Sequence, residues 1–156
     1  MNAIQLIILN LEEVRRRSVK LWSGIPKDFL HWKPDGEAMS CIEMVRHVLE
    51  SEHYYHLALI NGGSLSEYES PFAGKPFISV KNELELADPF RKSFLEYVSE
   101  LNEESLSAVK IDRSDVGYVR EMGDMLMRIA YHESVHAGQL LDYLRTGGIT
   151  RANLWD

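Results

Sequence analysis

The stretch from Glu121 to Thr146 constrains the fold most strongly, because its apolar residues recur with the period of one long α-helix. Charged and polar positions such as Asp124, Arg128 and Asp142 fall on the opposite side. Gly147-Gly148 follows, as is typical of a helix end. A helix with one apolar face needs partners to cover that face. The inward positions are Met122, Met125, Leu126, Ile129, Leu140, Tyr143 and Leu144.

Two histidines, His132 and His136, lie within this apolar face. Residues four apart on a helix are separated by about 40° around its axis, so both imidazoles can reach one metal ion. A buried imidazole needs a partner for its lone pair, which either a metal ion or a hydrogen-bonded polar network can provide. Because a stable metal site usually has three or four ligands, the metal hypothesis requires a further ligand elsewhere in the chain.

Three more segments have helical patterns. The first spans about 3–23 and ends at Gly24 and Pro26. The second begins at Ser40, where Ser40 and Glu43 form a predicted capping box, and continues to about residue 60. The third spans about 81–105 and contains Pro89, which predicts a kink or a delayed start. With the segment described above, they predict an all-α four-helix bundle in one domain, 1–156.

The connections between these segments differ in character. Residues 62–79 are rich in glycine and proline and predict a long loop between helices 2 and 3, either functional or a simple crossover. Residues 109–120 predict an irregular or briefly extended connector, without a convincing strand pair. In the tail, 149–156, we expect Trp155 to pack back on the body of the protein.

Charge and cysteine content exclude several classes of protein. With 17 Lys and Arg against 24 Asp and Glu, the formal net charge of −7 argues against binding to nucleic acids or anionic membranes. The run Arg15-Arg16-Arg17 is predicted to lie on the solvated side of its helix. The single cysteine, Cys41, favours a packing role and a reducing, cytoplasmic environment. We expect neither a signal peptide nor a membrane span.

Helix 2 offers three histidines as the missing ligand. Its predicted apolar face consists of Met44, Val48, Tyr55 and Leu59. His47 lies at the edge of this face, as suits a residue that lines a cleft. His53 lies further round the helix, and His56 is nearer the face but isolated. On geometry alone, His47 is a fair candidate but not a compelling one.

Two groups of motifs resemble the DinB/YfiT-like superfamily. The first is His31-Trp32-Lys33-Pro34 followed by Ser40 to His47 and Glu52. The second is the late HxxxH pair with Gly138-Gln139-Leu140, Leu144-Arg145 and Gly147-Gly148. The resemblance covers nearly the whole chain, although Met39 stands where many relatives carry an aromatic residue. It implies an up-down-down-up four-helix bundle, often a homodimer, that holds a divalent metal through His47, His132 and His136.

The resemblance also implies chemistry. Three imidazoles suit one divalent ion, zinc or nickel first, and leave positions open for water or substrate. The expected function is a metal-dependent enzyme that activates water or a low-molecular-weight thiol to attack a small electrophilic substrate. Glu52 lies on an inner face, where it can support the site, act as a base or pair with an arginine. Gln139 is expected to pack beside the metal ligands or to hydrogen-bond one of them.

The sequence is also compatible with two alternative functions. A ferritin-like di-iron protein uses Glu-x-x-His motifs on two helices and single glutamates from two others. Here Glu133 and His136 fit such a motif, but Glu50 and His53 face away, and helices 1 and 3 lack an obvious inward glutamate. The second alternative is a non-catalytic metal-binding or stress-response protein, which the absence of a pocket beside the histidines would favour.

Overall fold

The computed structural model describes residues 1–156 and consists of four long helices with a short hairpin inserted before the last. The four long helices confirm the four-helix bundle expected from the sequence, whereas the hairpin makes the fold mostly rather than entirely helical. The hairpin corrects the expectation that no strand pair is present, since Ile111 pairs with Arg120 in an antiparallel register. In chain order the elements are α1 (Ala3–Ser23), α2 (Cys41–Asn61), α3 (Val80–Ser99), the short α4 (Ser105–Ala108), β1 (Lys110–Arg113), β2 (Tyr118–Glu121) and α5 (Met122–Thr146).

The four long helices surround two hydrophobic clusters, one at each end of the bundle. α1 packs against α3 and α5, and α2 packs against the same two helices. One cluster joins the end of α1 to the starts of α2 and α3 and the end of α5, through Leu21, Ile42, Val80 and Leu144. The other joins the opposite ends, through Ile4, Leu59, Val98 and Met122. Hence α1 and α5 run in one direction, and α2 and α3 run in the other.

The ends of α2 follow the local signals in the sequence. The Ser40 hydroxyl accepts a hydrogen bond from the Glu43 amide at 3.4 Å, and the Glu43 carboxylate accepts one from the Ser40 amide at 2.7 Å. This confirms the predicted capping box. Gly62 ends the helix with a φ of 75°, which a glycine adopts without strain. Cys41 is fully buried, in agreement with its predicted packing role.

The third helix departs from its predicted bounds. It begins at Val80, where the Ser79 hydroxyl accepts a hydrogen bond from the Asn82 amide at 3.1 Å. The helix continues through Pro89 and ends at Ser99, so of the kink or delayed start predicted near Asp88, the delayed start does not occur. Proline removes one intrahelical donor but leaves the following turns intact in this case. Between α2 and α3, residues 64–79 form neither helix nor strand.

The predicted solvent exposure of the arginine run is wrong for Arg15. Its guanidinium donates to both carboxylate oxygens of Glu133, each at 2.9 Å, and to Glu52 at 3.2 Å. Glu52 also accepts from Arg91. Burial alone would lower the pKa of Arg15, but Glu52 and Glu133 together raise it. These four charges connect all four long helices inside the bundle.

The C-terminal tail contacts the body through a different residue than expected. The Trp155 side chain is 95% exposed, so the prediction that it packs back is wrong. Leu154 packs against the core instead. The tail is fixed by cations of α1: Lys20 pairs with the Asp156 carboxylate at 2.7 Å, and Arg17 donates to the Leu154 carbonyl at 3.2 Å. No helix is both long enough and apolar enough to cross a membrane.

Candidate metal centre

Three histidine side chains converge where α2 and α5 pack together. His132 Nε2 lies 3.1 Å from His47 Nε2 and 3.1 Å from His136 Nε2. The three nitrogens all lie within 4.8 Å of one another, and each side chain is half-buried. The structure therefore brings together the three histidines that the sequence indicated, although 85 residues separate His47 from His132.

The local structure explains this convergence. His132 and His136 are one turn apart on α5, so their rings stand side by side with centroids 4.6 Å apart. His47 lies in the second turn of α2, whose start is fixed by the capping box. Because α2 and α5 are neighbours, a residue at the edge of the α2 apolar face can reach the ligands of α5.

Hydrogen bonds among the three rings cannot satisfy all three Nε2 atoms. Each ring nitrogen of a neutral imidazole either donates or accepts, in one in-plane direction. His132 Nε2 faces two other Nε2 atoms at 3.1 Å and can form a good hydrogen bond with only one of them. A cation between the rings would accept all three lone pairs. Nitrogen ligands at about 2.0–2.1 Å from an ion such as Zn²⁺ are about 3 Å apart, so the donor set fits a divalent metal.

The environment favours neutral imidazoles. Burial, followed by the charges of His136 and His47, lowers the pKa of His132 to about 4. Burial and then His136 also lower the pKa of His47. At neutral pH these two rings are therefore uncharged and have lone pairs free to bind a metal ion.

Gln139 selects the tautomer of His136. Its amide oxygen lies 2.6 Å from His136 Nδ1, one turn along α5. With Nδ1 as the donor, the lone pair of His136 is on Nε2 and points towards the other two histidines. Hydrogen bonds of this kind commonly orient histidine ligands in metal sites. Of the two roles expected for Gln139, the structure therefore shows a hydrogen bond to one member of the triad.

The other polar residues singled out in α2 lie away from the triad. Glu52 pairs with Arg15 and Arg91, which is the arginine-partner role among those left open for it. His53 packs against Phe90, with ring centroids 4.3 Å apart. His56 is buried against Phe94 and Tyr97, and burial lowers its pKa to about 4.

The carboxylates needed for a di-iron site are engaged elsewhere. Glu133 faces inward as predicted, but both of its oxygens accept hydrogen bonds from Arg15. Glu83 corrects the expectation that helix 3 has no inward glutamate, since it is fully buried. Its carboxylate pairs with Arg46 at 2.7 Å and 2.8 Å. The group of side chains placed to hold a metal ion consists of the three histidines without a carboxylate.

A cavity of about 240 Å³ opens beside His47. The sequence did not predict this cavity, because it is completed by two residues outside α2, Tyr68 on the following loop and Arg113 on the hairpin, whose direction no periodic pattern indicates. Tyr55, which the sequence assigned to the apolar face of α2, links the cavity to the triad, with its ring centroid 6.2 Å from that of His132. The lining residues are His47, Glu50, Ser51, Tyr54, Tyr55, Tyr68 and Arg113.

Comparison with known proteins agrees with this architecture. The family model described as the DinB superfamily matches residues 10–140. The chain belongs to the DinB superfamily. The protein YjoA of Bacillus subtilis (strain 168) is 30% identical over 132 residues, which are 84% of this chain and 82% of YjoA.

Solved structures of DinB-like proteins share the fold. The crystal structure of YjoA matches with a TM-score of 0.71 and 25% identity over 95% of each chain. A DinB-like protein of Bacillus cereus ATCC 10987 gives a TM-score of 0.74 at 16% identity over 94% of each chain. YfiT of Bacillus subtilis gives 0.72 at 15% identity, over 94% of this chain and 89% of YfiT. YfiT is described as a probable metal-dependent hydrolase with an unusual four-helix bundle topology.

Proposed function

We propose that this DinB superfamily member is a metal-dependent enzyme that binds one divalent ion through His47, His132 and His136. The observation that carries the proposal is that His132 Nε2 lies 3.1 Å from the Nε2 atoms of both His47 and His136. Hydrogen bonds cannot satisfy all three lone pairs, whereas one cation can. Zinc and nickel are the metals that best suit three imidazoles. Three protein ligands leave positions open, which is the pattern of catalytic rather than structural sites.

The protein residues supply orientation and access for the reaction. Gln139 holds the tautomer of His136, and the adjacent cavity gives a small molecule room to approach His47. A divalent ion in such a site lowers the pKa of a bound water or thiol and so provides a nucleophile at neutral pH. The substrate is a small electrophile, attacked either by a low-molecular-weight thiol or by water. The description of YfiT as a hydrolase supports the water route as the alternative.

The cavity also distinguishes the enzyme from a non-catalytic metal-binding or stress-response protein. A protein that only stores or senses a metal needs no space beside the open ligand positions. Here His47 forms part of the wall of the cavity. We therefore favour catalysis over sequestration.

We also propose that the chain forms a homodimer. Three large apolar side chains are exposed at four-residue intervals along α5, namely Met127 (49%), Tyr131 (70%) and Val135 (41%). This spacing places them on one face of the helix, away from the core. Exposed apolar residues that form a continuous patch commonly mark an interface.

Metal content per chain tests the proposed site. We expect about one divalent ion per wild-type chain after purification without chelators or a histidine tag, as found by elemental analysis. His47→Ala should lose the ion and keep its helical circular dichroism, because the core is largely aliphatic and aromatic. His53→Ala is the matched control and should keep the ion. A wild-type chain without metal, or metal retained by His47→Ala, would refute the site.

Activity assays then distinguish the thiol route from the water route. The metal-loaded protein is assayed with an aryl halide and a panel of thiols, and in parallel with activated esters without thiol. Thiol-dependent loss of halide supports the transferase, whereas ester cleavage in the absence of thiol supports the hydrolase. If neither reaction depends on His132, the catalytic proposal fails.

A further inference from the structure

Arg113 lines the same cavity as His47. It is the last residue of β1, and its guanidinium lies 5.3 Å from the Tyr54 ring centroid and 5.5 Å from that of Tyr55. Both tyrosines are on α2, seven and eight residues after His47. At 1.5 Å per residue, α2 advances about 10 Å over this distance. Tyr55 also lies close to the triad, with its ring centroid 6.2 Å from that of His132. The triad and Arg113 thus both adjoin one small cavity.

The hairpin that carries Arg113 is fixed to the end of α2. The Asp112 amide donates to the Gly62 carbonyl at 2.9 Å, and the Ser64 amide donates to the Asp112 carbonyl at 3.1 Å. Gly63 faces Asp112 so closely that a Cβ at this position would collide with the Asp112 backbone. These backbone contacts between Asp112 and residues 62–64 therefore set the position of Arg113 relative to α2.

The guanidinium of Arg113 has only neutral partners. It donates to the Tyr118 hydroxyl at 2.7 Å and to the Ser64 hydroxyl at 3.2 Å, and it stacks on tyrosine rings. No carboxylate lies within ion-pair distance. Three arginines inside the bundle, Arg15, Arg46 and Arg91, each pair with a glutamate instead. The Ser64 hydroxyl in turn donates to the Asp115 carboxylate at 2.6 Å, so Asp115 acts on Arg113 only through Ser64. Arg113 thus presents a positive charge without a direct ion-pair partner, held in place at the wall of a cavity.

The cavity has a polarity that would orient an anion. Glu50 lines it one turn after His47, and its charge opposes burial in setting the pKa of that histidine. A ligand anion is repelled by Glu50 and attracted to Arg113. Its other end then faces the triad. The volume of about 240 Å³ is below the range of about 300–1,000 Å³ typical of drug-sized ligands, so the ligand is small.

We infer that Arg113 is a specificity-determining residue that binds a carboxylate of the thiol co-substrate, and that the enzyme therefore selects small thiols that are also organic acids. The planar guanidinium suits a carboxylate, because two N–H groups can donate to its two oxygens. The inference rests on the proposed function, since the reacting end of the ligand is placed at the triad.

The test uses two thiols of equal length that differ in charge, 6-mercaptohexanoate and 6-mercaptohexan-1-ol. The full chain is loaded with Co²⁺, and the thiolate-to-cobalt absorption is titrated to obtain a Kd for each thiol. We expect wild type to prefer the carboxylate by roughly ten- to a hundredfold, as for a charge-assisted hydrogen bond. Arg113→Gln should abolish this preference and leave the Kd of the neutral thiol unchanged. Arg113→Lys, which keeps the charge and loses the planar fork, should retain part of it.

Arg128→Gln is the matched control. Arg128 stacks on the same Tyr118 ring, at 4.9 Å, but does not line the cavity. Its removal lowers the net charge equally and should leave the preference for the carboxylate intact. Equal affinity of wild type for both thiols, or an equal loss of the carboxylate preference in Arg113→Gln and Arg128→Gln, would overturn the role of Arg113. Neither result would affect the proposed metal site. Failure of wild type to load cobalt would instead overturn the proposed function, and this inference with it. A cobalt-loaded protein that binds neither thiol would overturn the thiol route and this inference, but not the metal site.

Discussion

Arg15 donates to both carboxylate oxygens of Glu133, the residue that follows His132, with two hydrogen bonds of 2.9 Å. The pair joins α1 to α5 directly behind the histidine triad. The exposed fractions of the two side chains are 11% and 4%, so the charges are largely removed from water. Such a fork-to-carboxylate pair stabilises one relative position of the two helices, provided that both partners are present.

Replacement of Arg15 by methionine should strongly destabilise the protein at neutral pH. The substitution leaves Glu133 charged, buried and without its partner, which typically costs about 3–5 kcal/mol. Urea unfolding of the metal-free protein, followed by circular dichroism, measures the loss. Arg16→Met is the matched control: its pairs with Glu13 and Asp156 are exposed and should contribute little to stability. Similar losses in the two variants would contradict a structural role of the buried network.

The sequence contained a partial signal for this network. The inner-face placement of Glu52 and Glu133 followed from helical periodicity, and two buried carboxylates require cations nearby. Arg15 also lies four residues after Leu11 and three before Ser18, both buried on the inner side of α1. The run Arg15-Arg16-Arg17 was predicted as one solvated group, so the inward position of Arg15 was missed. Adjacent residues on a helix point in different directions and do not share one environment.

Other features depended on contacts that periodicity does not encode. The bounds of α1 and α2 could be predicted because caps and glycines act locally. His47 lies at the edge of the apolar face of α2, and it reaches the histidines of α5 only because these two helices pack together. Arg113 was missed because its position depends on backbone contacts between the hairpin and the end of α2. Trp155 was expected to pack, but the tail is fixed by Leu154 and by the pairing of Asp156 with α1.

Replacement of Gln139 by leucine should weaken metal binding while the triad remains complete. Gln139 accepts from His136 Nδ1 at 2.6 Å, and loss of such a partner typically lowers metal affinity by about 10- to 100-fold. Competition with a chromophoric zinc chelator gives the affinity. Gln139→Glu supplies a charged acceptor at the same place and should bind at least as tightly as wild type. Weakening of both variants alike would show that the contact does not orient His136.

The metal-free protein should lose stability as the pH falls from 6.5 towards 4. The ordinary pKa of 6.5 is lowered to about 4 for His132 in the folded chain, chiefly by burial. In this interval the unfolded state binds more protons than the folded state, so the free energy of unfolding rises with pH. Urea unfolding at several pH values gives the slope. His132→Gln should have a shallower slope, whereas replacement of the exposed His31 by glutamine should leave it unchanged.

Replacement of Tyr131 by glutamate should convert the proposed dimer into a monomer. Tyr131 is 70% exposed and lies between Met127 and Val135 in the apolar stripe of α5, so a charge at this position would be buried without a partner in the interface. Light scattering after size exclusion should give twice the 17.9 kDa chain mass for wild type and the chain mass for the variant. Ile78→Glu changes a similarly exposed apolar residue, 60%, in the segment between α2 and α3, and it should remain dimeric. A monomeric wild type would refute the dimer, and a dimeric Tyr131→Glu would move the interface to another face. Because His132 follows Tyr131 directly, the metal content of the variant is measured in parallel, and its retention shows that the inner face of α5 is intact.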